Sequence, residues 1–156
     1  DVLYQYGDEK HAKLISNAIF KSKIKNKITT TTQLSKIIKE IYPEKNKKTH
    51  PATKSFQAFR ILINNELEEF KESLQAAEKL IKIGGLIVTI AFHSLEDNII
   101  KNFFKSSIVS FPKDIPINNK EDKKFKCIAK KVRASKDETN ANPRSRSAIM
   151  RVFQKI

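Results

Sequence analysis

The stretch Gly84-Gly85-Leu86-Ile87-Val88-Thr89-Ile90-Ala91-Phe92-His93-Ser94-Leu95-Glu96-Asp97 decides how the rest of the chain is read. Residues 86–92 form a continuous apolar run rich in β-branched side chains. That is the pattern of a strand covered on both faces, as in a parallel sheet with helices above and below. Upstream, Phe56, Phe59, Ile63, Leu67, Phe70, Leu74, Ala77 and Ile81 recur every three or four positions. One long helix, or two in line, is therefore expected over 51–82, with Pro51 in its first turn and the glycine pair closing it. Downstream, Ser94-Leu95-Glu96-Asp97 has the shape of a capping box, and Ile99, Ile100, Phe103 and Phe104 supply a helix face. Residues 106–124 read as a loop, and 125–132 and 148–153 as two short strands. Helix, glycine pair, buried strand, helix and strand pair read as the second half of an α/β domain. A lone parallel strand cannot be covered on both faces without neighbours, so further strands are expected from outside this segment.

Towards the N-terminus, Ala12, Ile15, Ala18 and Ile19 keep helical spacing, and a basic run, 21–27, follows. One of Thr29, Thr30, Thr31 and Thr32 can cap a helix whose apolar stripe is Leu34, Ile37, Ile38 and Ile41, stopped by Pro43. The charged residues 44–50 read as an exposed loop. What precedes Pro51 is thus a small helical unit.

Composition narrows the chemistry. The chain has 156 residues, 31 of them Lys or Arg against 17 Asp or Glu, for a formal charge of +14. Such a balance suits a polyanionic partner, because each phosphate neutralised releases condensed counterions. Lysine outnumbers arginine 26 to 5 amid abundant Ile and Asn, which is also how AT-rich codon drift looks. Gly7, Gly84 and Gly85 are the only glycines, too few and too far apart for a loop whose backbone cradles phosphates. Cys127 is alone and His11, His50 and His93 are scattered, so neither a disulfide framework nor a metal site is expected. No apolar run approaches the roughly 18 residues of a membrane span, and the first residues have no export-leader pattern. The sequence starts at Asp1 and its sole methionine is Met150; it reads as part of something longer, in a reducing, cytosol-like compartment.

Three segments could carry chemistry. His93 and Ser94 follow the buried strand, at the strand end where α/β sheets bind ligands. Ser94 is equally read as the cap of the next helix, and His93 as a histidine bridging strand and loop. A Ser–His hydrolase is less attractive, since adjacent residues seldom face each other and no orienting third group is evident. Asn142-Pro143-Arg144-Ser145-Arg146-Ser147 places two guanidinium forks on a proline-constrained turn, suited to phosphate or carboxylate, or else simply solvated. In residues 50–60, Phe56 and Phe59 read as core, whereas Gln57 and Arg60 lie on another face open to RNA or to the rest of the fold. The basic run 21–27 interleaves Ile24 with lysines, as phosphate contact or a solvated helix end would.

On these residues the sequence resembles a known family. HPATKSFQAFRILINNEL, residues 50–67, then GGLIVTIAFHSLEDNIIKNFF, 84–104, and NPRSRSAIMRVF, 142–153, are similar in order and spacing to the RsmH (MraW) family. YGDEKHAKLISNAI, 6–19, and ITTTTQLSKII, 28–38, resemble it as well. The similarity spans nearly the whole chain. Lys54, Phe59 and Asn98 stand where arginine, leucine and arginine are usual, and the acidic-basic segment 118–126 also departs from the pattern.

The resemblance implies an S-adenosylmethionine-dependent methyltransferase acting on N4 of a cytidine in the decoding region of small-subunit ribosomal RNA. It implies the C-terminal part of a Rossmann-type sheet (51–156) plus part of an inserted helical, substrate-recognition domain (1–50). The family's glycine-rich cofactor segment has no counterpart here, so no cofactor-binding residue is assigned. His93 and Ser94 match a motif at the catalytic face. Glu96 and Asp97 belong to the same motif, and Asn142, Arg144 and Arg146 match another nearby; the match does not fix individual roles, and these five, with Arg60, are taken as candidates for substrate binding. The implied partner is small-subunit ribosomal RNA or the ribosomal subunit, in the cytoplasm, with no membrane and no metal. The competing expectation is a non-catalytic RNA-binding module that keeps a methyltransferase-like core.

Overall fold

A computed structural model describes residues 1–25, 27–42, 50–106 and 124–156. The expected loops over 44–50 and 106–124 lie almost wholly outside the described residues, as does the stop at Pro43. The chain divides into two compact units, Asp1–Glu66 and Leu67–Ile156.

The first unit is helical: α1 (Val2–Gly7), α2 (Ala12–Lys25), α3 (Thr31–Lys39) and α4 (Thr53–Asn64). The spacing of Ala12, Ile15, Ala18 and Ile19 predicts a helix over 8–20; α2 begins only at Ala12, because Asp8 ends the preceding α1 in the left-handed region, φ 47°. Glu9 makes the restart possible: its Oε1 accepts the His11 N–H at 3.0 Å. Thr30 is the threonine that caps α3, in a reciprocal box with Gln33. Ile15, Ile38, Leu3, Ala52 and Ala58 form the core, with Phe56 and Phe59 packed against it, as expected of them. Helix α1 packs against α4 at Gly7, where a Cβ would lie 2.7 Å from the Lys54 carbonyl oxygen.

Of the two expectations for 51–82, one long helix or two, the chain takes the second: α4 and α5 (Glu66–Leu80) are separated by Asn65 at φ 51°. Asparagine tolerates this left-handed turn better than most side chains. The second unit continues with β1 (Leu86–Ala91), α6 (Ser94–Ser106), β2 (Phe125–Arg133), α7 (Lys136–Ala141), a 3-10 turn (Pro143–Ser147) and β3 (Ile149–Lys155). Helix α7 lies in a stretch whose polar sequence reads only as turns; Ser135 caps it by accepting the Glu138 N–H. Gly84, at φ 82°, turns the chain into β1, which any side chain would resist.

The mixed α/β expectation holds, but the neighbours of β1 differ from those expected. The described strands run β1-β3-β2, both pairs antiparallel. Nor is β1 covered on both faces: Ile87, Thr89 and Ala91 are buried, whereas Leu86, Val88 and Ile90 are more than half exposed. The physical reason is the supply of cover. Leu74 of α5 and Ile100 and Phe104 of α6 pack with Ile87, Ala91, Phe125 and Phe153 in one core. Phe104 stacks on Phe153 with ring centroids 3.6 Å apart and meets Phe125 edge to face. Nothing among the described residues of this unit covers the other apolar face.

Candidate functional site

The last register pair of β1 and β3 is Ala91 with Ile149. The chain leaving β1 through Phe92, His93 and Ser94 is therefore beside the chain entering β3 from the 3-10 turn. Two segments separated by some fifty residues in sequence meet at the carboxyl end of β1. His93, Ser94, Glu96 and Asp97 come from one, and Asn142, Arg144 and Arg146 from the other. Arg60 belongs to the first unit, where its guanidinium fork holds Glu66 at 2.7 and 3.0 Å.

The turn after β1 is organised by Glu96. Its Oε2 accepts the Phe92 N–H at 2.7 Å and the His93 N–H at 3.2 Å. In return, His93 Nδ1 accepts the Glu96 N–H at 3.4 Å. This is a capping box with histidine as the N-cap, so the cap is His93 and not Ser94, one residue earlier than the sequence shape suggests. Ser94 is left exposed in the first turn of α6. A histidine accepting through Nδ1 carries its neutral-form proton on Nε2. That nitrogen is buried, 3.2 Å from Glu96 Oε1 but without hydrogen-bonding alignment. Burial works to raise the Glu96 carboxyl; the His93 ring and the Phe92 and His93 amides outweigh it, and the group lies below its ordinary value.

Asp97, one position on, faces inward. Arg151 Nε reaches its Oδ1 at 2.7 Å and Nη2 its Oδ2 at 3.0 Å, and Lys101 lies 3.3 Å from Oδ2. The Arg151 hydrogen bond is the chief reason that the Asp97 carboxyl is lowered, against an opposing contribution from burial. Arg151 also donates to the Lys130 carbonyl of β2. Sequence groups Arg151 with Arg144 and Arg146, yet their settings are opposite. Arg144 and Arg146 are exposed on the 3-10 turn, while Arg151 is buried beneath α6. The turn itself is held by Asn142, whose Oδ1 accepts the Arg144 N–H and whose carbonyl accepts the Ser145 hydroxyl. The pairing of Asp97 with Arg151 is invisible in sequence, since a bidentate fork across 54 residues leaves no local spacing.

A second concavity, of about 290 Å³, lies in the first unit and is lined by Glu9, His11, Tyr42, His50 and Lys54 among others. Sequence singles out neither Glu9 nor Tyr42. Burial, then the hydrogen bond to Glu9 and its charge, raise the Tyr42 hydroxyl pKa, so it remains a proton donor to that carboxylate. His50 Nδ1 accepts the Ala52 N–H at 3.2 Å.

No group of three or more metal-binding side chains occurs among the described residues, and none of their helices is long and apolar enough to cross a membrane. The one glycine pair precedes β1 and is engaged by β3: the Gly84 N–H donates to the Lys155 carbonyl, and the Lys155 N–H to that of Gly85.

Comparison with known proteins places these features in a family. The chain is similar to the ribosomal RNA small subunit methyltransferase H of Marinomonas sp. (strain MWYL1), 44% identical over 100% of this chain and 51% of that protein. It is 45% identical to the protein of the same name from Buchnera aphidicola subsp. Cinara cedri, over 99% of this chain and 52% of the relative. The corresponding protein of Nitrosomonas eutropha is 38% identical over 100% of the chain and 52% of its own length. The chain thus spans about half the length of the curated relatives it matches. The sequence model of the MraW methylase family matches residues 1–156, the whole of the chain, which therefore belongs to that family.

Proposed function

We propose that this chain is the C-terminal portion of an S-adenosylmethionine-dependent methyltransferase that modifies N4 of a cytidine in the decoding region of small-subunit ribosomal RNA, in the cytoplasm. The observation that carries the reading is identity of 38–45% along the whole chain to proteins named ribosomal RNA small subunit methyltransferase H. The exposed apolar face of β1, and its place at the edge of the described strands, support the incompleteness. Leu86, Val88 and Ile90, with Val152 and Met150 opposite Val88 and Ile90, present an apolar surface that further strands or helices would cover. In this reading, 1–50 belong to the inserted helical domain and 51–156 return to a Rossmann-type sheet.

The cofactor supplies the methyl group, and its binding residues lie in the part of the protein outside this chain. What these residues contribute follows from the nucleophile. The cytosine N4 lone pair is delocalised into the ring, so the amine must be held in line with its methyl donor, about 3–3.5 Å away, and its hydrogens accepted as it becomes tetrahedral. A paired N4 is inaccessible, so the base is bound unpaired or extruded. Ser94, exposed where β1 ends, offers a hydroxyl acceptor. His93, fixed by the Glu96 box, sets the path of the backbone beside it. Arg144 and Arg146 present free-standing guanidinium forks to flanking phosphate, with Asn142 shaping their turn. Asp97 fixes α6 to β3, and Arg60 is proposed for substrate contact from the first unit.

The test is transfer of labelled methyl from S-adenosylmethionine to undermethylated small subunits by the full-length protein, with the modified base mapped. Label on cytidine N4 in the decoding region is expected. Label elsewhere, or RNA binding without transfer, would overturn the reading, the latter in favour of a non-catalytic RNA-binding module.

A further inference from the structure

We infer that the outward face of α2 is a docking surface for single-stranded RNA. This inference rests on the RNA-directed reading above and deepens it by naming where a strand lies. Helix α2 buries Ile15 and packs Ala12 and Ile19 against the core. The opposite side should then be polar. Instead Phe20 is 66% and Ile24 71% exposed, one turn apart on one stripe with Lys13 and Asn17. The helix, AKLISNAIFKSKIK, carries Lys13, Lys21, Lys23 and Lys25 and no carboxylate. Lysines in a last turn complement the helix dipole, but that explains neither Lys13 and Lys21 nor an exposed phenyl ring.

Beside this stripe runs a groove of about 390 Å³ between α2 and α3. Ala18, Ile37 and Ile41 give it apolar walls, and Lys21, Lys25 and Glu40 give it charge. Lys21 and Lys25 are about 6 Å apart along the axis, a step that consecutive phosphates of an extended strand can follow. Cations spaced for phosphates beside an aromatic side chain open to stacking are the two components of single-strand recognition. A duplex would hide the base faces that Phe20 needs. Glu40, the one carboxylate among the described residues of the groove, can accept a hydrogen bond from an exocyclic amine of a base.

The experiment uses the full-length protein and an unstructured twenty-nucleotide RNA. Phe20→Ala is expected to weaken binding about tenfold. Lys21→Gln with Lys25→Gln is expected to lower the slope of log affinity against log salt by about 1.4, at roughly 0.7 per lost phosphate contact on a single strand. Melting temperature, S-adenosylmethionine binding and oligomeric state should stay unchanged. RNA affinity and salt slope equal to wild type would overturn the docking surface while leaving the methyltransferase reading intact. A fall in melting temperature or a change of oligomeric state with Phe20→Ala would overturn it too, by showing that protein covers the ring. Failure of the wild-type enzyme to methylate, with RNA binding still dependent on Phe20 and the two lysines, would instead defeat the proposed function and leave the surface standing.

Discussion

Arg151 of β3 grips Asp97 of α6 with two parallel hydrogen bonds, 2.7 and 3.0 Å, and both side chains are about nine-tenths buried. The pair ties the helix that follows β1 to the neighbouring strand, and so ties the two segments of the candidate site to each other. Thr89, the cross-strand neighbour of Arg151, adds a hydrogen bond to its carbonyl.

This pairing predicts an acid-sensitive fold. Asp97 is lowered in the folded protein, against about 3.9 unfolded, so the folded state binds fewer protons. Its contribution is complete above the unfolded value and is lost as pH falls through the folded one. Arg151→Met removes the bidentate partner of a buried carboxylate and leaves it the half-exposed Lys101, so it should cost about 3 kcal/mol at pH 7, the low end for loss of such a partner. Urea unfolding across pH 2–7 checks both statements: Asp97→Asn should flatten the acid limb. An unchanged limb would remove the pair from the account.

His93 caps α6 and is proposed to serve the reaction as well, and different substitutions separate the two roles. As N-cap of α6, its loss in His93→Ala should lower stability by about 1 kcal/mol. His93→Asn restores a cap acceptor and should recover most of that. In the intact enzyme both variants should impair turnover more than folding. Full methylation by a folded His93→Asn protein would confine the imidazole to capping.

Gly7→Ala should destabilise the first unit through a clash rather than through backbone strain. Its added Cβ meets a backbone oxygen, which cannot swing aside as a side-chain end would. Overpacking of this kind typically costs about 1–3 kcal/mol, read as a lower melting temperature. Gly84→Ala should also destabilise, here because of φ 82°, with open space around the new methyl.

Calorimetry of residues 1–156 with S-adenosylmethionine should show no tight binding, because the proposed cofactor-binding residues lie outside this chain. Clear micromolar binding would overturn the incomplete-site reading.

Arg144→Ala with Arg146→Ala should leave the fold intact, both side chains being exposed, yet reduce the salt slope for RNA binding by the full-length protein. An unaltered slope would reject the phosphate role.

Sequence periodicity located α3, α6 and the three strands because each rests on local spacing: Leu34, Ile37 and Ile38, for example, must share a face in any helix. It left open whether 51–82 is one helix or two, since the break at Asn65 is a single backbone turn inside an unbroken apolar rhythm. The cap of α6 was misplaced by one residue because Ser94 has the commoner capping side chain, while His93 caps through a ring nitrogen that propensity does not anticipate. The HSLED and NPRSRS segments stood out as residue types, but their convergence depends on the register of Ala91 against Ile149.

Sequence by itself determined the strands and the longer helices, though not α1 or α7, together with the apolar character of β1 and the family, because these depend on residue identity and near-neighbour spacing. Only the tertiary structure decided which strand lies beside β1, in which direction, and which arginine is turned inward. Pairing, register and burial of a charge are long-range choices, settled by which partners the folded chain brings within hydrogen-bond reach.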